Sequence, residues 1–248
     1  MGDGTRTIAR VALICTAGLA LASCTFLDMS FGLRQPPAPV DRTVETRSIF
    51  SMPRVRIPGF AGNAPTMPAA ELQCRAQLKR MGVQFTDIAP IRDSAACYID
   101  HPVKVSTLAR GVALTPAATL NCQAALAAAQ WLQETGGRAA RTRYLSGIAE
   151  VRQISSYSCR RIRGSGTWSE HSKGNALDIG AFKLKNGRVI DVAKPGLFAF
   201  RERGFLRSVR AAACDDFTTV LGPGSDRDHA DHFHFDLKQR SSGYRHCD

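Results

Sequence analysis

The chain lacks most of the short signatures that name a mechanism by themselves. No Cys-x-x-Cys pair occurs, which argues against a thiolate zinc knuckle or a thioredoxin-like redox pair. No His-Glu-x-x-His occurs, so the helical zinc-peptidase motif is absent. No Gly-x-Ser-x-Gly elbow supports a serine hydrolase. Basic residues are scattered from Arg34 to Arg245 without aromatic interleaving, so nucleic acid is not an expected partner. There is no internal repeat. The apolar run from Val11 to Ala22 is too short for a stable transmembrane helix.

What is present is a 248-residue chain of net charge +12, long enough for one well-buried domain and an appendage. A basic surface suits an anionic partner, such as anionic lipid or the acidic polymers of a bacterial wall. Arg6 and Arg10 before the apolar run have the form of an export signal. Leu21-Ala22-Ser23-Cys24 resembles a bacterial lipobox, which predicts acylation of Cys24; cleavage near Ala22 with an incidental cysteine is the alternative. Thr25, rather than Asp, after the cysteine resembles the outer-membrane sorting pattern. The expected organisation is a signal at 1–23, a Pro-rich tether at 24–69 and a folded domain at 70–248. The expected location is the periplasm, with a lipid anchor in the outer membrane.

Six further cysteines fit an oxidising compartment: Cys74, Cys97, Cys122, Cys159, Cys214 and Cys247. Many connectivities are open to them. Pairing in chain order is expected: Cys74–Cys97, Cys122–Cys159 and Cys214–Cys247.

Along the domain, Ala70 to Met81 reads as a short helix, and Gly82 to Phe85 begins an extended stretch. Leu108 to Leu114 alternates weakly as a strand, with Gly111 at a bulge or turn. Thr115-Pro116 looks like a helix start for the Ala/Leu-rich run to Leu132, stopped by Gly136-Gly137. Gly147 to Ser155 has strand character. Asp178 to Leu184 and Arg188 to Val192 flank Asn186-Gly187, a hairpin turn. Phe198 to Ala213 reads as a helix broken at Gly204, and His232 to Leu237 alternates as a strand. Helices followed by strands around a hairpin predict an α+β fold, with helices packed on an antiparallel sheet that carries the site.

The chemistry concentrates in two segments. Ser169-Glu170-His171 leads through Gly174 and Ala176 to Asp178, and His229-Ala230-Asp231-His232-Phe233-His234 follows some fifty residues later. His171, Asp178 and His234 form a nitrogen–oxygen ligand set with room for a fourth position, the pattern of a catalytic zinc. Gly174 and Ala176 are small, as a loop folding both ligands onto one ion requires. In a strand His232 and His234 share a face, which is costly for buried imidazoles without partners. Ser169 and Glu170 are expected to shape the loop and bond His171.

These residues resemble the zinc D-alanyl-D-alanine peptidase superfamily, which includes wall carboxypeptidases, the penicillin-insensitive murein endopeptidase and the hedgehog domain. Ser156-Tyr157-Ser158-Cys159-Arg160, Ser169-Glu170-His171, Asn175-Ala176-Leu177-Asp178-Ile179 and Asp231-His232-Phe233-His234-Phe235-Asp236 resemble more closely the bacterial extensin-like C-terminal domain family. The resemblance implies a hedgehog/D-Ala-D-Ala peptidase-like fold and zinc held by His171, Asp178 and His234. It implies a general base at Asp231 or His232. His229 is implied beside the water or the substrate. Arg160 is implied at the oxyanion, with Arg161 and Arg163 competing for that role. The expected activity is a zinc peptidase, endo- or carboxy-, on stem-peptide or cross-link amides of peptidoglycan. The rivals are a non-catalytic, zinc-containing wall-binding lipoprotein, an amidase on the glycan–peptide bond, and a structural lipoprotein without metal.

Overall fold

The computed structural model describes residues 67–193, 195–196 and 199–248. All belong to one compact unit, Ala61–Asp248. The expected signal, Cys24 and nearly all of the tether lie outside the described residues. Among the described residues no helix is long and apolar enough to cross a membrane.

Helix α1 (Ala69–Arg80) carries Glu71 in its first turn and Lys79 and Arg80 in its last, which suits the helix dipole. It ends as expected, with Gly82 at φ +76° turning the chain into β1 (Gln84–Asp87). Its buried Arg75 is held by Glu71 and by Asp87 at 2.6 Å. The short strands β2 (Ile91–Ser94) and β3 (Cys97–Ile99) form a separate two-stranded sheet. A hairpin of β4 (Val103–Ala109) and β5 (Val112–Leu120) follows, with Gly111 in its turn at φ +72°.

The helix expected from Thr115 begins later. Thr115 and Pro116 lie inside β5, where residues 114–117 bulge opposite Ser106 of β4. A missing N–H is tolerated there because no ladder bond needs it. The effective cap is Asn121, whose side chain accepts from Ala124 N at 2.8 Å and starts α2 (Cys122–Trp131). Gly136-Gly137 does not stop the helix. The chain passes through a π-helical turn, Leu132–Gly136, into α3 (Gly137–Tyr144). A Cβ on Gly136 would lie 3.3 Å from Leu132 Cδ1, so this glycine serves packing. Gly204 likewise does not break α4 (Phe200–Asp216); it makes room for Arg143, whose Nη1 would meet a Cβ at 2.8 Å.

The remaining strands are β6 (Ile148–Ser155), β7 (Ala176–Leu184), β8 (Val189–Asp191), β9 (Thr219–Leu221), β10 (Phe233–Asp236) and β11 (His246–Cys247). The expected hairpin at Asn186-Gly187 joins β7 and β8. The large sheet runs β1-β4-β5-β6-β7-β10-β9-β11, with β8 also on β7. It is mixed rather than purely antiparallel, since β5–β6 and β9–β11 pair in parallel. Five strands also precede α2, so the order is not helices first. The class is α+β. Trp131, Phe182, Phe205, Phe217 and Phe235 fill the core, and Trp131 Nε1 donates to Val209 O at 2.8 Å, tying α2 to α4.

Three disulfides form, but two differ from pairing in chain order: Cys74–Cys122, Cys97–Cys159 and Cys214–Cys247. The reason is the layering. Cys74 on α1 packs on α2, whose first residue is Cys122. Cys97 lies on the small β2–β3 sheet beside the turn that carries His171, so it meets Cys159.

Candidate metal centre

The sheet places two of the three expected ligands directly. Asp178 on β7 and His234 on β10 are cross-strand partners in register. The third, His171, comes from a 3-10 turn, Glu170–Lys173, entering β7. Ser169 caps that turn, its Oγ accepting from His171 N at 3.3 Å. Gly174 closes it at φ +59°, where a Cβ would fall 2.4 Å from Ile99 Cδ1 and 2.9 Å from Asn121 N. Only glycine satisfies both the dihedral and the close approach. The Glu170 carboxylate, expected to bond His171, instead accepts from Asn175 Nδ2 at 2.7 Å and pairs with Lys173 at 3.5 Å.

The three ligand atoms converge. His171 Nε2 is 3.1 Å from Asp178 Oδ1 and 3.2 Å from His234 Nδ1, and His234 Nδ1 is 2.8 Å from the same Asp178 oxygen. These separations are close to the edge of about 3.3 Å that a tetrahedron with nitrogen and oxygen bonds of roughly 2.0–2.1 Å would have. The outer nitrogens explain the orientation. His171 Nδ1 lies 2.5 Å from Ser156 O, an acceptor only, and His234 Nε2 lies 3.0 Å from Asp236 Oδ2. Each outer nitrogen therefore donates, which leaves the inner nitrogens of the neutral rings as lone pairs. Two lone pairs and a carboxylate oxygen, buried within 4.8 Å of one another, repel unless a cation sits between them.

The electrostatics agree. Burial alone would lower the His234 pKa, but hydrogen bonds to Asp178 and Asp236 outweigh it and raise it to about 9. Burial alone would raise Asp178 and Asp236; the imidazoles beside them instead hold both below the usual carboxylate range. The donor set fits a metal ion.

A cleft of about 590 Å³ opens over this cluster. His232 precedes β10, with Nε2 3.8 Å from Asp178 Oδ2 and Nδ1 2.8 Å from Asp231 Oδ1. Asp231 is 71% exposed and lies outside the cleft lining, where it orients His232. His229 lines the cleft, its ring centroid 5.3 Å from that of His232 and 5.4 Å from that of His234. Its Nδ1 is 2.7 Å from Asp226, whose carboxyl burial would raise but the His229 bond lowers.

Of the three arginines, Arg160 comes closest to the cluster, Nη2 lying 3.7 Å from Asp178 Oδ2. Arg161 stacks on Trp168, and Arg163 pairs with Asp228 at 2.9 Å. Sequence reasoning assigned no role to Asp236, Asp226 or the Ser156 carbonyl. Asp236 was within reach of it: two residues after His234 on a strand, it shares that ligand's face.

No curated protein and no solved structure matches the chain. The family described as Extensin-like protein C-terminus matches residues 72–248. With both histidine-bearing segments and all three disulfides inside that span, the chain belongs to the extensin-like C-terminal family.

Proposed function

We propose that this protein is a zinc-dependent peptidase of the bacterial envelope, acting on stem-peptide or cross-link amides of peptidoglycan. The observation that carries the reading is the convergence of three donor atoms, from His171, Asp178 and His234, within 4.8 Å of one another beside a cleft. His171, Asp178 and His234 would hold the ion. Zinc at such a site supplies a Lewis acid for an amide carbonyl and makes a bound water easier to deprotonate.

The chain's own groups divide the remaining work. His232 takes a proton from the attacking water at Nε2, while Asp231 holds its Nδ1–H and stabilises the imidazolium. The same Nε2 returns the proton to the leaving amine. This assigns the base to His232 and orientation to Asp231. His229, oriented by Asp226, faces the same cleft as a substrate donor. Arg160 offers a guanidinium to the developing oxyanion. The substrate class rests on the resemblance to wall peptidases, on the expected export and lipid anchoring, and on the positive charge, which favours an anionic polymer.

The test is digestion of purified peptidoglycan with and without a chelator, alongside His234→Ala, with released muropeptides read by mass. Cleavage lost in both the chelated and the variant protein is expected. Stoichiometric zinc with no cleavage would refute the peptidase reading and leave a wall-binding module. Asp231→Ala should retain measurable cleavage, whereas His232→Ala should lose about 10²–10⁴-fold.

A further inference from the structure

A second cleft, of about 890 Å³, lies beside the metal cleft and shares Trp168, Glu170 and Lys238 with it. The far wall comes from the small β2–β3 sheet, where Tyr98 is 44% exposed, and from Gln123 in the first turn of α2. Gln239 completes it.

The polar groups here fall into two sets. Asn121, Asn175, Glu170 and Lys173 are committed to one another: Asn121 Nδ2 donates to Asn175 Oδ1 at 3.0 Å, and Glu170 takes both Asn175 and Lys173. They form a fixed floor. The phenol of Tyr98, the amides of Gln123 and Gln239, the ammonium of Lys238 and Nε1–H of Trp168 make no hydrogen bond or ion pair among the described residues. Two aromatic side chains thus stand among mostly neutral, uncommitted donors and acceptors. Aromatic faces pack against the C–H face of a pyranose, and amides bond its hydroxyls and N-acetyl group. A peptide stem would call for cations opposite its carboxylates; of the two lysines, Lys173 is engaged by Glu170.

We propose that this second cleft is a sugar subsite, taking an N-acetylhexosamine of a glycan strand while the attached peptide lies in the metal cleft. The inference rests on the peptidoglycan reading for its biological polymer, but sugar binding itself needs no metal. Trp168 lines both clefts, with the Arg161 guanidinium over its ring, so its indole signal reports on the place where they meet.

The chain contains only two tryptophans, Trp131 and Trp168. Trp131 is fully buried with its indole N–H bonded to Val209, so it is an internal control. The experiment is a titration of ¹⁵N-labelled, zinc-free His234→Ala full chain with a β-1,4-linked N-acetylglucosamine tetramer, reading the two indole signals. The Trp168 signal should move saturably while that of Trp131 stays fixed. Tyr98→Ala and Gln123→Ala should each weaken binding by about tenfold. The proposal is overturned if the Trp168 signal does not move with sugar up to roughly 10 mM. It is also overturned if both variants bind unchanged, or if a free stem tetrapeptide moves the signal and the sugar does not. Because the metal is absent throughout, a failed cleavage assay and a failed titration are separate results.

Discussion

Removing the metal should make stability strongly dependent on pH in one window. In zinc-free protein the cation between His171, Asp178 and His234 is a proton, held on His234 with a pKa raised to about 9 from an ordinary 6.5. A raised histidine contributes stability that is complete below about pH 6.5 and is lost as pH climbs through about 9. Asp178, held low, contributes stability that is present above its ordinary value of 3.8 and is lost as pH falls below it. The two shifts describe one buried pair and are counted once. From the His234 side the contribution is about 3 kcal/mol, since one pKa unit is worth about 1.4 kcal/mol. For a chain of this size that is a fall in Tm of roughly 6–12 °C between pH 6 and pH 9.5. In the zinc-loaded protein the Nδ1 lone pair is occupied and cannot take the proton, so this loss should vanish. Thermal melts of chelated and zinc-saturated protein at half-unit pH steps test this, with His234→Ala as the baseline. A chelated protein whose Tm stays level with the loaded one from pH 6.5 to 9.5 would refute the argument that a cation is required at this point.

Asp236→Asn keeps an acceptor for His234 but removes the charge, and should weaken zinc binding about 10–100-fold in a competition titration with a chromophoric chelator; unchanged affinity would deny Asp236 any role in orienting the ligand. Gly174→Ala meets both a positive φ and a 2.4 Å approach to Ile99, so it should cost about 2–5 kcal/mol in denaturant unfolding. Gly187→Ala, at φ +85° with nothing within 4 Å, should cost only about 1–2 kcal/mol, and equal losses at the two positions would contradict the packing account. Replacing Cys97 and Cys159 together by Ser should lower stability by about 2–5 kcal/mol and impair cleavage, because the bond anchors the residue before Arg160. Peptide mapping without reduction should recover that same pair. Asp216 has its pKa raised to about 6, first by burial and then by Glu134 and Asp215. A raised carboxyl loses stability as pH climbs from about 4 to 6, so Asp216→Asn should raise Tm at pH 7 and leave it level at pH 4, by no more than about 1 kcal/mol after solvent screening.

How far the sequence can be read depends on whether a feature is decided locally. The convergence of His171, Asp178 and His234 was legible because alternation on β10 and the approach to β7 are period-two patterns, and register across a sheet is set by such patterns. The hairpin at Asn186-Gly187 was legible for the same local reason. The helix after Thr115 was misplaced because Thr-Pro is a valid cap in isolation. Tertiary pairing to β4 and β6 overrode it, and the competing cap, Asn121, lies only six residues on. The glycines at 136, 137 and 204 show the opposite confusion. Glycine ends helices when the backbone needs a positive φ, but none of these three has one, and at 136 and 204 a neighbouring side chain takes the space. Disulfide order was out of reach, since Cys74–Cys122 and Cys97–Cys159 interleave along the chain and follow from which layers touch. The placement of Asp231 and His232 has the same origin. Both precede His234 at suitable spacing, and only the turn into β10 decides that the imidazole lines the cleft while the carboxylate stays outside and bonds it. Spacing therefore finds side chains that converge, because convergence on one point is a pattern the strand period carries. It does not rank the groups around them, because a proton can be passed by whichever neighbour the fold turns inward.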